Sequence, residues 1–208
     1  MFETGYLQVA KLGGAPVRIH WSVAVGAVMF VGLRFAPAAW LAFALLVLVH
    51  ELGHAAAVLF FRLEVVSVDV HGFGGVCRWD GVATAWQRAV IAWGGVLAQL
   101  TLLVATEGLV LTAGRPTSSF AVDLVSVFTE TNLWLMLINL IPVPPLDGAN
   151  AWTIFRAWTA GRASRDRRAA ARRQLRSLEA ADKQGPALTA EDEERLRKLF
   201  EDATRPKR

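Results

Sequence analysis

Cysteine, histidine and charge are all scarce in this chain, and each scarcity excludes something. Cys77 is the only cysteine in 208 residues, so an internal disulfide and a cysteine-rich metal site are both ruled out, and Cys77 reads as a small packed residue. Charged residues make up 19% of the chain against 54% hydrophobic, a balance that suits a bilayer better than a soluble core. The opening MFETGYLQVAKLGGAPVR mixes acidic and basic residues, and no A-x-A-like site follows the first apolar run. No cleavable signal peptide is therefore expected, and that run is expected to stay as a span. No internal repeat is visible.

The charges that are present divide unevenly. Residues 1–160 carry 8 Lys/Arg and 9 Asp/Glu, whereas residues 161–208 carry 14 and 9, giving −1 and +5. The expected fold is an α-helical polytopic membrane protein with four to five transmembrane segments, a small membrane-associated β element and a cytosolic helical tail. The expected domains are a membrane domain over 1–160 and a basic helical tail over 161–208. Windows 19–35, 38–62, 86–111 and 120–141 approach or reach the ~20 apolar residues that a bilayer core requires. Residues 146–160 are too short to span alone and read as a half-helix or the end of a broken helix, while a fifth crossing through Pro142 to Trp158 stays open. Trp21, Trp40, Trp86, Trp152 and Trp158 fall near span ends, where amphipathic rings favour the interface. With an even number of crossings, Lys11, Arg18, Arg62, Arg78, Arg88 and the Arg-rich tail share one side, and Arg34 and Arg115 lie opposite. Both termini are then cytoplasmic. Small size and high Arg/Ala content point to a bacterial inner membrane.

Between the second and third windows, EVVSVDVHGFGGVCRWDG (64–81) reads as a strand and a turn. It is either an extended element held at the membrane face or an ordinary surface hairpin. The tail is helix-compatible over 162–178, breaks at Gly185 and Pro186, and restarts at Thr189, three residues before Asp192, in a capping-box-like pattern. Leu196, Leu199 and Phe200 form one apolar stripe suited to packing on the body or on a partner. No nucleic-acid partner is expected, because juxtamembrane arginines already serve topology and anionic lipid contact.

The chemistry lies in VLVHELGHAAAV, residues 47–58. His50 and His54, two of only four histidines, stand at i and i+4, so a helix places both imidazoles on nearly one face, about 6 Å apart along its axis. That spacing lets them hold one zinc ion, while Glu51, turned about 100° away, sits where it could take a proton from water. Ionisable groups inside a span are functional by default. Catalytic zinc usually takes three protein ligands, and the residues after His54, AAAVLFFRLE, lack the extended H-x-x-G-x-x-H pattern. A distant donor is needed. Asp147, in NLIPVPPLDGAN (139–150), follows three prolines that interrupt a helix and free the chain to turn inward. Glu107, Asp123 and Glu130 are also costly inside spans; Glu130 is expected to point into the bundle and Asp123 to sit near an interface.

H-E-x-x-H in an early span together with Asn139, Pro142, Pro144, Pro145, Leu146, Asp147 and Gly148 in a late one resembles the site-2 protease family of intramembrane zinc metalloproteases. RIHW, HGFGGV and WGGVLAQL add weaker support, the last departing from the family's A-G-P-L-A-N-L-type segment at Val96 and Gln99. The likeness covers roughly residues 10–160, with no inserted PDZ or CBS domain. It implies His50, His54 and Asp147 as ligands of one zinc per chain, Glu51 as general base, and a membrane-anchored protein as substrate. Val65–Val70 is expected to accept an unwound substrate segment by strand addition, with Gly72, Gly74 and Gly75 permitting close backbone approach. Asn139 either hydrogen-bonds substrate or ligand, or caps the helix broken at Pro142. His71 and His20 are read as structural, with substrate or metal contact as the alternative. The competing readings are a non-catalytic membrane scaffold and a zinc transporter; oligomeric state stays open.

Overall fold

The computed structural model describes residues 5–33, 36–182 and 189–204. They form two compact units, Met1–Ile154 and Phe155–Arg208. Among the described residues three helical stretches are long and apolar enough to cross a membrane: α2 (Pro37–Phe60), α3 (Ala85–Ala113) and the composite Ser119–Asn139. Pro37 opens α2, where its missing N–H costs no hydrogen bond. Thr84 and Gln87 close a reciprocal capping box on α3, with the Gln87 N–H reaching Thr84 Oγ1 at 3.2 Å and the Thr84 N–H reaching Gln87 Oε1 at 2.8 Å. The composite stretch consists of α4 (Ser119–Ser126), a π-turn over Val127–Thr131 and α5 (Asn132–Asn139).

Two expected windows fold differently. Residues 19–35 are not one long helix: Ile19 and His20 end a strand, and α1 covers only Val23–Val31, about 14 Å of rise. The stretch 146–160 holds the single turn α6 (Gly148–Ala151) and the start of α7 (Thr153–Asp182), which runs on through the expected tail helix. In α8 (Ala190–Thr204), Thr189 Oγ1 donates to Asp192 at 2.6 Å, and this holds the Asp192 carboxyl below its ordinary pKa. Arg34, Gly185 and Pro186 lie outside the described residues.

The β element is larger than the sequence suggested. Strands β1 (Tyr6–Leu12), β2 (Ala15–His20), β3 (Glu64–His71) and β4 (Gly74–Asp80) form one sheet in that order. Two antiparallel hairpins meet at a parallel β2–β3 seam. The chain therefore leaves the sheet after β2, passes through α1 and α2, and returns to the same sheet at β3. This corrects the expectation for Val65–Val70: β3 is interior, its ladder filled by Val17–Ile19 on one side and β4 on the other. The edge strand on that flank is β4.

Glu130 also departs from expectation. Val127, Thr129, Asn132 and Met136 are buried, whereas Glu130, inside the π-turn, is exposed. At the centre of the body, Gly53 of α2 meets Gly94 of α3, where a Cβ on Gly53 would stand 2.3 Å from the Gly94 carbonyl oxygen. Such small-residue contacts let helix backbones approach without a hydrophobic drive between them.

Asp69, fully buried in β3, ties the seam together. It accepts from Arg18 Nε at 2.6 Å, from Arg18 Nη2 at 2.9 Å and from Ser67 Oγ at 3.0 Å. Burial pushes its pKa up, but these hydrogen bonds outweigh that and hold it below 3.8. A depressed carboxylate contributes stability above its unfolded pKa and loses it as pH falls through the folded value. Asp69→Asn is expected to cost about 2 kcal/mol near neutral pH and to remove that acid-side dependence, checked by thermal unfolding of the purified protein across pH.

Candidate active site

Site construction begins on α2, where His50, Glu51 and His54 are all buried. His54 lies six residues and His50 ten residues before the helix ends at Phe60, so the imidazoles sit about 9 and 15 Å below that end. The two rings meet edge to face, with centroids 4.6 Å apart. His50 Nε2 and His54 Nε2 stand 3.0 Å apart. Asp147 Oδ2 closes the triangle at 2.9 Å from the first and 3.2 Å from the second.

The far ring nitrogens are held by α3. His54 Nδ1 lies 2.7 Å from the Ile91 carbonyl oxygen, which can only accept, so Nδ1 carries the proton. His50 Nδ1 lies 2.9 Å from Gln99 Oε1, which accepts in the same way. In its neutral form each ring therefore turns an unprotonated Nε2 towards the Asp147 carboxylate. Three lone-pair donors within about 3 Å of one another repel strongly in a low-dielectric interior. A cation at their centre converts that repulsion into attraction. Gly95 leaves the space: a Cβ there would stand 2.5 Å from His50 Cε1 and 2.6 Å from His54 Nε2.

Asp147 is placed from a distance by tryptophans. Pro142, Pro144 and Pro145 supply no N–H, so the chain after α5 turns through short bonds such as Val143 N–H to Ile141 O at 2.8 Å. Trp152 Nε1 then donates to Leu140 O at 2.7 Å, and Trp93 Nε1 of α3 donates to Ala151 O at 3.1 Å. The two indoles pack edge to face at 5.7 Å. Both ends of the Asp147 loop are thereby pinned.

Glu51 is not part of the triangle. Its carboxylate accepts the Cys77 backbone N–H and lies against Gly75, where a Cβ would come within 2.5 Å of Oε1. The close approach made by Gly75 is thus to the glutamate. A cavity of about 530 Å³ opens on this group, bordered by Gly74, Gly75 and Cys77 of β4, by Gln99 of α3, and by Asn139 and Asn150 near the Asp147 loop. Cys77 is no nucleophile here: burial and the Glu51 charge push its thiol up to about 12. His71 and His20 lie apart from the triangle. Tyr6 Oη stands 3.3 Å from His71 Nε2, and His20 Nδ1 pairs with Ser22 Oγ at 2.8 Å.

Comparison with known proteins gives the same answer as the triangle. No family model matches the chain. It is 33% identical over 140 residues to a Mycobacterium tuberculosis protein named as a zinc metalloprotease, Rip3, a match covering 66% of this chain and 32% of that one. It is 32% identical over 106 residues to stage IV sporulation protein FB of Bacillus subtilis, covering 50% of this chain and 35% of that one. Its fold resembles the site-2 protease from Methanocaldococcus jannaschii with a TM-score of 0.53 at 21% identity, covering 80% of this chain and 78% of that one. In sequence the chain is similar to zinc metalloproteases, and in fold to a site-2 protease.

Each curated match spans about a third of the relative's own length. The chain is an integral membrane protein with a mostly helical body and a small sheet. Zinc is the metal that the relatives' names imply, and the donor set fits it: two imidazoles and one carboxylate are ordinary zinc ligands, with a position left open. Gln99, which the sequence marks only as a departure in a motif, proves to hold the far nitrogen of His50. The available signal was an amide inside the apolar stretch Ala89–Leu100 of α3, since such a group needs a partner once buried, as Gln99 is. Its own backbone carbonyl accepts from Asn132 Nδ2 at 2.9 Å, so α5 steadies the residue that steadies His50.

Two outcomes are expected. Gln99→Leu should weaken zinc binding about 10- to 100-fold, measured by competition with a calibrated chelator, because His50 loses the group that fixes its tautomer. Cys77 should resist iodoacetamide at pH 7 in the folded protein and react once the chain is denatured, because its thiol stays protonated until about pH 12.

Proposed function

We propose that the chain is an intramembrane zinc endopeptidase that hydrolyses peptide bonds in or near transmembrane segments of membrane-anchored proteins. His50, His54 and Asp147 hold one zinc per chain, and Glu51 is the general base. The observation that carries this reading is the triangle of converging acceptors with a separate buried carboxylate beside it, both open to one cavity. Bound there, zinc supplies a Lewis acid that makes water acidic enough to attack a carbonyl at neutral pH. Glu51 takes the proton of the attacking water and returns it to the leaving nitrogen. The Cys77 N–H holds the carboxylate in place, and Gly75 lets it lie flush with β4. A scaffold or a transporter has no use for a base fixed beside the metal, which favours hydrolysis over both.

A peptide bond inside a membrane helix is hydrogen-bonded and dry, so the substrate must unwind before it reacts. β4 is the sheet edge that borders the cavity, and it supports strand addition in place of Val65–Val70. Gly74, Gly75 and Asn139 line the path that such a segment would follow.

The β2–β3 pairing bears on sidedness. α1 and α2 begin and end at one sheet, so together they enter and return, although α1 is short. α3 and the stretch Ser119–Asn139 form a second such pair. This supports four passes with both termini on one side, the cytoplasmic side by arginine bias, in a bacterial inner membrane. Residues 1–160 form the protease domain in this reading, and 161–208 a basic cytosolic tail.

The deciding comparison is wild type against Glu51→Gln in detergent, with single-span substrates and metal analysis on both. Both proteins should hold about one zinc, while cleavage by the variant falls by about 10²- to 10⁴-fold. Equal cleavage by the two would remove Glu51 from the reaction.

A further inference from the structure

Arg88 is the only lysine or arginine among the described residues lining the cavity. It is exposed, and its guanidinium makes one hydrogen bond, from Nη1 to Ala83 O at 2.6 Å. Nε and Nη2 have no protein partner among the described residues. A guanidinium carries five donors in a planar fork that matches a carboxylate, so most of its capacity is unspent.

Its position relates it to the metal triangle. Ile91, Gly95 and Gln99 contact the two histidines from one face of α3. Arg88 precedes Gln99 by eleven residues, about three full turns, and so falls on that same face. It lies seven residues before Gly95, about 10 Å along the axis. β4 leads the same way: Gly75 touches Glu51, while Trp79, four residues on, lines the cavity with Arg88. An extended chain advances about 3.3 Å per residue. A segment laid along β4 therefore brings a side chain beside Arg88 about three residues from the bond over Glu51.

We propose that Arg88 is a specificity-determining residue selecting substrates with an acidic side chain two to four residues from the scissile bond, on the Trp79 side. The proposal rests on the reading that this cavity takes an unwound peptide segment. The other described groups lining it are apolar side chains, amides, glycines, the Cys77 thiol, the His71 imidazole and the acid–imidazole cluster of the site itself. A single carboxylate is thus the chemistry that Arg88 adds.

The test separates selection from cleavage. Full-length Glu51→Gln protein, loaded with zinc in detergent, is titrated with fluorescent apolar peptides in which one Glu, Gln or Lys is walked along the sequence. With Arg88 present, Glu peptides should bind about threefold to fivefold tighter than Gln peptides within a window of about three positions, and Lys peptides more weakly. The preference should shrink with added salt. Arg88→Gln should erase it and Arg88→Glu should reverse it, with zinc content unchanged as the check on folding. Charge-independent binding, or a preference that survives Arg88→Gln, overturns the proposal. Cleavage of the best-bound peptide by protein with Glu51 intact is scored separately. A charge preference without cleavage supports Arg88 and counts against the peptidase reading.

Discussion

Three electron-pair donors held about 3 Å apart, away from bulk water, constitute the constraint on which the rest of this structure depends. With both imidazoles neutral, His50, His54 and Asp147 offer one another no proton, so a cation is what their converging lone pairs suit. α3 prevents this by holding the far side of each ring through Gln99 and Ile91 and by leaving Gly95 bare where the rings converge. Trp93 and Trp152 do the same for the Asp147 loop by claiming carbonyls at both of its ends. Preorganisation of this kind lowers the cost of metal capture, since the ligands are already ordered before an ion arrives.

The sheet answers a second physical requirement. Irregular backbone near a bilayer must have its N–H and C=O groups satisfied by protein or by a water-filled cavity. Pairing β2 with β3 satisfies the interior of the sheet, and the pair of buried Asp69 with part-exposed Arg18 ties the seam. The edge of β4 beside the cavity is left available, and the same strand presents the Cys77 N–H and Gly75 to Glu51. One strand thus supports both the base and the proposed substrate path. The cavity carries positive charge beyond the histidines at Arg88 alone, so discrimination by charge can act along the substrate without disturbing the metal.

Much of the site was legible because helical geometry is local. His50 and His54 at i and i+4 fix a shared face, and Glu51 one residue on cannot share it, whatever the rest of the chain does. Prolines at 142, 144 and 145 likewise announce a helix end wherever they fall. The misreadings were non-local. Residues 6–20 carry apolar and polar residues suited to several conformations, and they become strands by pairing with each other and, through Val17–Ile19, with Val68–Val70. Glu130 was expected inside because it lies mid-window, yet the inner face is set by which residues pack on α2 and α3 around a π-turn.

The amino-acid sequence alone determined the shared helix face of His50 and His54, the positions of the three long apolar helices and the break that precedes Asp147. Each depends on spacing within one segment or on the chemistry of a residue type. Tertiary structure alone decided that Asp147 reaches the histidines across more than ninety residues, that Gln99 and Ile91 set their tautomers, that β3 is interior, and that Gly95 is the space they share. Those relations join atoms from different elements, and their distances come from packing, which no local pattern encodes.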